Sequence, residues 1–524
     1  MNRILNRANK RVPIFWAAGL LAASTLVANL LGLMRERLLL ANFGVGAEVD
    51  AYKAAFTIPD FMFFVLTSGA LSVTFIPVFN ERLGKGNKKS AWELSNSLLN
   101  FMAAITFVAS ILIMIFAKPL VHVVASGLQG YQLEQAASMM RIIAINPFLF
   151  SISSVFTSMQ QAVGRFFFFA LAPSFYSMGI IIGIIGLSPR LGIEGVAYGV
   201  VIGSIMQLLV AAFGLYGMGY TYFPKIFWKN RGFKEVLHLL PARSVDQGID
   251  YFNNIVEVNL ASRLGVGAIT AYQTAYTLHS VPITLIGVAI STAAFPRITD
   301  RLNQGRPDLF KRDLLRILRV IIWLALPAAV IAYFGRGYLV RLLAAGGNPV
   351  IASLLGLLVV SIFFRSIFHI MSRSFYAQHD TMTPLKISIF AILLNIFLAI
   401  FLARPSAYGI NGLAMAQSIV AAAEVLILVG VLWRRYPGFI TAEFTAAFIK
   451  MLSAAGLMSL VTYFLIRLLP LGARDRGFAS LVPKFGLIVV GSLAAYTAIC
   501  SVFRLQEAEP IISRTKKILF NQWR

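Results

Sequence analysis

Apolar residues in this chain come in runs of roughly 20, separated by short stretches rich in Gly, Pro, Lys and Arg, from near the first residue to near the last. An α-helix rises about 1.5 Å per residue, so each run is long enough to cross a hydrocarbon layer of about 30 Å. The pattern predicts an all-α polytopic membrane protein of fourteen transmembrane helices. They fall at 12–41, 49–79, 92–117, 139–163, 166–187, 192–216, 236–264, 268–295, 314–334, 350–376, 385–402, 410–433, 444–469 and 481–503. The seventh is polar enough to escape a hydropathy window.

Composition agrees with the pattern: 58% of the 524 residues are hydrophobic and 13% are charged. The net charge of +25 raises the question of nucleic acid, and its distribution answers it. Basic residues alternate by loop. One set of segments carries Arg3, Arg7, Lys10 and Arg11, then Arg82, Lys85, Lys88 and Lys89, then Lys225, Lys229, Arg231 and Lys234, then Arg297 to Arg312, then Arg434 and Arg435, then the tail. The other set holds far fewer. This is the positive-inside pattern, with both termini cytoplasmic, and no basic patch is interleaved with stacking aromatics as a nucleic-acid site requires. The opening MNRILNRANKR precedes an apolar run with no convincing cleavage site, so it reads as a retained signal anchor. A lone cysteine, Cys500, excludes an intrachain disulfide and a cysteine metal cluster.

The chain also repeats itself. FGVGAEVDAYKAAFTIPDF, from Phe43, returns as LGVGAITAYQTAYTLHSVP, from Leu264, and GIEGVAYG at Gly192 returns as GINGLAMA at Gly409. Six spans separate the members of each pair, so both copies enter the membrane in the same direction. A parallel duplication of two six-helix bundles related by a pseudo-twofold axis follows, with boundaries at 1–222 and 223–436, and with 437–524 holding two further helices and a basic tail.

Ionisable groups at membrane depth are costly unless paired or wet, which makes each a functional candidate. The first span carries Arg35, Glu36 and Arg37, and helical geometry sets the two arginines about 200° apart. The second holds Asp50, Lys53 and Asp60; Asp50 and Lys53, three residues apart, can neutralise one another. The seventh contains Arg243, Asp246, Asp250, Asn253, Asn254 and Glu257. Asp246, Asp250, Asn253 and Glu257 follow steps of four, three and four, a polar stripe suited to a cavity wall or a site for Na+ or a proton, or else to a polar seam between helices. The tenth span adds Arg365 and His369, and the twelfth Glu424. No nucleophile motif, phosphate-cradling loop or metal-ligand spacing is present, so the reading is a transporter and not an enzyme.

The segments GLMRE at Gly32, FGVGAEVDAY at Phe43 and GALSVTFIPVF at Gly69 resemble the MurJ/MviN family of the MOP exporter superfamily. The resemblance spans essentially the whole chain, with ASRLGVGAITAYQ and GVAISTAAFP as weaker echoes. It implies a flippase that moves lipid II, the undecaprenyl-pyrophosphate-linked peptidoglycan precursor, from the cytoplasmic to the periplasmic leaflet of the bacterial inner membrane by alternating access. Membrane lipids and cell-wall synthesis proteins are the implied partners. No cofactor is implied beyond a coupling ion or the membrane potential. By resemblance Arg35 is the family arginine of the first helix and Asp50 the acid opening the second. Relatives of the enterobacterial type carry further charges where this chain has Asn29, Phe63, Ser68 and Thr277. Lys53, Arg243 and Arg365 are the basic groups left to complete a cationic cavity, whose arginines would hold a pyrophosphate through bidentate hydrogen bonds. Export of another polyprenyl-linked oligosaccharide, or cation-coupled multidrug antiport, are the alternatives within the superfamily.

Overall fold

A chain with no water to bond to in hydrocarbon must satisfy its backbone internally. Accordingly, helix is the only regular secondary structure among the described residues of the computed structural model. These are residues 14–68, 74–472, 475, 477–510 and 513; the side chains of 14–18, 22, 68, 239, 241–247, 249 and 250 lie outside the description. The chain divides into two compact units, Met1–Thr270 and Ala271–Arg524.

The first unit contains α1 (Ile14–Phe43), α2 (Ala47–Phe63), α3 (Ile76–Gly84), α4 (Lys88–Ile115), α5 (Ala117–Val124), α6 (Tyr131–Ile143), α7 (Asn146–Ala162), α8 (Phe167–Ile182), α9 (Ser188–Leu191), α10 (Ile193–Phe213) and α11 (Arg231–Ser262). Phe75, Phe79, Leu94, Leu98, Val155, Met159 and Phe233 form a core joining α3, α4, α7 and the start of α11. Helices α8 and α10 meet through glycine. A Cβ on Gly179 would lie 2.2 Å from the Gly203 Cα, and one on Gly183 would lie 2.5 Å from that of Gly199. The four-residue spacing of Gly195, Gly199 and Gly203 clears one face of α10, and the backbones close upon it.

The second unit takes in most of α12 (Ala268–Pro282), then α13 (Ala289–Asn303), α14 (Pro307–Phe334), α15 (Arg336–Leu343), α16 (Pro349–Tyr376), α17 (Met382–Leu402), α18 (Ile410–Arg435), α19 (Ala442–Leu468) and α20 (Phe478–Val502). Its core runs through Ile321, Trp323, Ile370, Leu428, Met451, Met458 and Tyr496. The last two helices are therefore packed on α14, and Trp323 Nε1 donates to Cys500 Sγ at 3.4 Å. Side-chain caps start the helices after polar loops: Asn87 accepts from Ser90 N, Asn348 from Ile351 N and Thr441 from Phe444 N.

Among the described residues eleven helical spans are long and apolar enough to cross a membrane. The first, second and seventh expected spans fall on α1, α2 and α11, outside that set. Part of α1 has side chains outside the description, α2 runs 17 residues before its helical geometry changes, and α11 carries the polar stripe. Large apolar side chains such as Leu30, Phe107, Leu393 and Phe464 are exposed on the outer helix faces, the arrangement that lipid as solvent favours.

The repeated sequence builds repeated irregularities. Helix α2 passes into π-helix at Phe64–Ser68 and α12 does so at Ile283–Val288, about 220 residues on. Gly192 and Gly409 open α10 and α18 with the same left-handed geometry, φ 60° and 54°, which costs any other residue about 1 kcal/mol or more. Behind them, a Cβ on Gly195 would meet Leu187 C at 2.7 Å, and one on Gly412 would meet Leu402 O at 2.1 Å.

Candidate functional site

The charged residues of α1 and α2 converge within the first unit. Gly44 and Gly46 turn the chain between the two helices, and Glu48 and Asp50 in the first turn of α2 suit its positive end. Glu36 and Lys53 meet at 2.6 Å, both 8% exposed. The expected neutralisation of Lys53 by Asp50 thus gives way to an ion pair with Glu36, because the facing helix offers a carboxylate at hydrogen-bonding distance while Asp50 is engaged elsewhere. Arg35 points differently from Glu36. Its charge acts on Asp60, Tyr52 and Tyr176, and no hydrogen bond or close ion pair engages its guanidinium among the described residues. A half-buried arginine left with donors to spare, within electrostatic range of two phenols and a carboxyl group, is equipped to receive an anion.

Asp50 has another task. Buried to 2% exposure, it accepts hydrogen bonds from Gly267 N at 2.5 Å, Thr270 N at 2.7 Å and Thr270 Oγ1 at 2.6 Å. It caps the first turn of α12 from 220 residues away. Nearby, Asn259 Nδ2 donates to Val123 O at 2.7 Å, Gly127 N to Ser262 Oγ at 3.0 Å and Arg263 Nε to Ser126 Oγ at 2.9 Å. A Cβ on Gly127 would lie 2.0 Å from Ser262 O. The end of the first unit opposite the basic loops is thereby sewn together, around a cavity of about 380 Å³ lined by Asp50, Gln129, Gln132 and Arg263.

On α11, Asn253 Nδ2 donates to Glu257 Oε1 at 3.0 Å, and Glu257 is 5% exposed; Asn254 is half-buried. Part of the polar stripe satisfies itself. Arg243, Asp246 and Asp250 have side chains outside the described residues. The helix packs on the π-turns of α2, where Tyr251 stacks on Phe64 at 4.0 Å between centroids. In the second unit Arg365 donates to Glu424 Oε2 at 3.0 Å, Ser388 Oγ donates to Glu424 Oε1 at 2.9 Å, and Glu424 is 2% exposed. Lys53 and Arg365 therefore carry their own counterions; among the described residues of the expected cationic cavity, Arg35 has no carboxylate at contact distance.

Two features of this site depend on tertiary contacts. Asp60 lies within reach of the Arg35 charge, an outcome that i, i+3 and i, i+4 spacings along one helix do not reveal. Phe63, where the resemblance leads one to expect arginine, packs edge-on against Phe150 at 5.3 Å, and Phe150 against Tyr176 at 5.1 Å. An aromatic cluster thus stands where the resemblance leads one to expect a cation. Thr277, another such position, donates to Gln273 O within its own helix, Asn29 is exposed, and the side chain of Ser68 lies outside the description.

The family model described as lipid II flippase MurJ matches residues 40–473. A probable lipid II flippase MurJ of Borreliella burgdorferi is 24% identical over 406 residues, 76% of this chain and 79% of that protein. A solved structure of lipid II flippase MurJ in an inward closed conformation has a TM-score of 0.77 and 25% identity to this chain, covering 92% of it and 98% of the other. An inward-facing multidrug transporter of the MATE family and MOP superfamily has a TM-score of 0.66 at 17% identity over 80% of this chain and 95% of its own, a likeness of fold alone.

Proposed function

This chain belongs to the lipid II flippase MurJ family, and we propose that it carries lipid II from the cytoplasmic to the periplasmic leaflet by alternating access. It is an integral protein of the bacterial inner membrane and a transporter, not an enzyme. A headgroup of sugar, peptide and pyrophosphate cannot cross hydrocarbon unaided, so the path must be polar and must hold the anion in transit. Arg35 is the observation that carries this reading: it stands in the first unit with its donors uncommitted among the described residues, and its planar fork matches a pyrophosphate oxygen pair.

The reading includes fourteen transmembrane helices with both termini cytoplasmic, two six-helix bundles at 1–222 and 223–436 related by a pseudo-twofold axis, and an appended helix pair in 437–524. The repeated π-segments and the matched Gly192 and Gly409 support the duplication. The hydrogen bonds around Asp50 and Gly127 lie, in this topology, at the periplasmic end. Asn253, Asn254 and Glu257, with Asp246 and Asp250, are the groups that would bind a coupling Na+ or proton; a charge that moves with the cavity would couple to membrane potential at about 2.3 kcal/mol per 100 mV.

The aromatic wall of Phe63, Phe150 and Tyr176 favours a second reading, a different polyprenyl-linked oligosaccharide, since aromatic faces stack on sugar rings where a charged wall would grip phosphate or peptide. Complementation in a bacterium depleted of its own lipid II flippase separates the two. Rescue by the native chain, with failure of Arg35→Ala at equal membrane insertion, is the expected result; proper insertion without rescue, in a host whose lipid II matches that of the source, overturns lipid II as the substrate.

A further inference from the structure

The long connection between α10 and α11 is a fixed strap. Its sequence, GLYGMGYTYFPKIFWKNRGFK from Gly214, carries aromatic residues first and basic ones from Lys225 on, and asparagine and serine side chains of α4 bind its backbone. Asn96 Nδ2 donates to Thr221 O at 3.0 Å and Asn96 Oδ1 accepts from Phe223 N at 3.1 Å. Asn100 Nδ2 donates to Phe223 O at 2.7 Å and Lys225 O at 3.1 Å, and Ser97 Oγ accepts from Phe227 N at 2.8 Å. Asn230 then caps α11 through Gly232 N at 3.0 Å while its amide donates to Ser90 O at 3.1 Å. Asn96 is 1% exposed, so the ladder is built into the unit.

Between the strap, the end of α3 and the start of α4 lies a cavity of about 1160 Å³. Six basic side chains line it, Arg82, Lys85, Lys89, Lys225, Lys229 and Arg231, against three acidic ones, Glu81, Glu93 and Glu235. One contact there is only partly compensated, by the bond that Arg82 Nη1 donates to Val78 O at 3.1 Å. The Arg82 guanidinium carbon lies 2.3 Å from where a Cβ of Gly232 would be, which sets a cation against the positively polarised first turn of a 32-residue helix. An anion in the cavity beside Arg82 and Lys229 would offset that repulsion; Glu81 holds Lys85 at 2.5 Å, and basic groups in the lining still outnumber acidic ones six to three. The source of the anion follows from the strap's exposed aromatic rings: Tyr222, Phe223 and, at the cavity itself, Trp228 are each more than half exposed. Large aromatic rings next to lysines are the composition of a membrane interface, where the rings sit among headgroups.

We propose that this cavity binds the phosphate of a membrane lipid headgroup, a site separate from Arg35 and one that requires only that the chain sit in a bilayer, whatever it transports. Two lipids carry this chemistry, an acidic phospholipid and a polyprenyl diphosphate. The test measures retention of phosphatidylglycerol and of undecaprenyl diphosphate on the detergent-purified full chain by native mass spectrometry. Lys85→Gln/Lys89→Gln/Lys229→Gln is expected to lose bound lipid about tenfold, Lys85→Arg/Lys89→Arg/Lys229→Arg to keep it, and Arg306→Gln/Arg312→Gln/Lys386→Gln, basic positions elsewhere, to keep it. Whichever of the two lipids shows this loss is the occupant. Retention of both lipids within twofold by the first variant, equal loss in the distant variant, or inorganic pyrophosphate competing as well at equal concentration as the lipids bind, overturns the proposal.

Discussion

Lys53 Nζ and Glu36 Oε1 meet at 2.6 Å between α2 and α1, and both residues are 8% exposed. A pair so enclosed is stable as a pair and costly as a single charge. Lys53→Ala is expected to lower the stability of the detergent-solubilised protein by about 3–5 kcal/mol, read as a large fall in its thermal unfolding temperature. Lys53→Met combined with Glu36→Gln is expected to regain most of that loss. Similar behaviour of the single and double variants would show that the pair does not bear on the packing of the two helices.

Arg35 and Asp60 make a different kind of pair, electrostatic without contact. Arg35→Lys keeps the charge and loses the fork, so it is expected to reduce flippase activity at least tenfold in a reconstituted vesicle assay while the protein still inserts. Asp60→Asn removes the acid that competes for the Arg35 charge. Its expected effect is tighter retention of the lipid substrate with slower turnover; faster turnover, or weaker binding, would separate Asp60 from the substrate path.

Gly127 lies against the backbone of Ser262, with no room for a methyl group. Gly127→Ala is expected to force this end of the first unit apart, at a cost of about 1–3 kcal/mol. A cysteine pair at Ser126 and Arg263 reports on it. Crosslinking in the Gly127 background should be efficient, and in the alanine variant at least several-fold slower.

The duplicated glycines offer a paired test. Gly195→Ala and Gly412→Ala each place a methyl group against the end of the preceding helix, at 2.7 Å from Leu187 C and 2.1 Å from Leu402 O. Both are expected to destabilise by about 1–3 kcal/mol. Gly430→Ala, in open space on α18, should leave the unfolding temperature within a degree or two.

Asp380, in the loop between α16 and α17, accepts from Thr383 N at 2.9 Å, Thr383 Oγ1 at 2.6 Å and Arg435 Nη2 at 2.5 Å. Burial pushes its carboxyl up, but the hydrogen bonds from Thr383 and Arg435 outweigh it and hold the group down at about 2. The unfolded value is about 3.9, so the folded state favours the ionised form. The resulting stability is complete above about pH 5 and is lost as pH falls from about 4 through 2. Thermal unfolding of native and Asp380→Asn proteins should therefore differ at pH 7 and converge toward pH 2.

The sequence by itself determined the all-helical membrane class and the family of this protein. Membrane helices are legible because hydropathy over roughly 20 residues is a local quantity, and the sequence repeat is legible because the tight turns at Gly192 and Gly409 demand the same residue at both places. Motifs in α1 and α2 sufficed to indicate the family. What only the tertiary structure decided is which charge answers which. Helical spacing put Asp50 beside Lys53, yet Lys53 went to Glu36, 17 residues before it, and Asp50 to Thr270, 220 residues after it. Arg365 went to Glu424, 59 residues on. The physical reason is that a buried charge is stabilised by the partner that completes its desolvated shell at contact distance. In a helix bundle that partner usually stands on a neighbouring helix, whose rotation and depth no local pattern encodes. Arg35 emerged as the candidate anion-binding group from two sources: the motif located it, and Glu36 and Glu424 engage Lys53 and Arg365, the other described basic candidates.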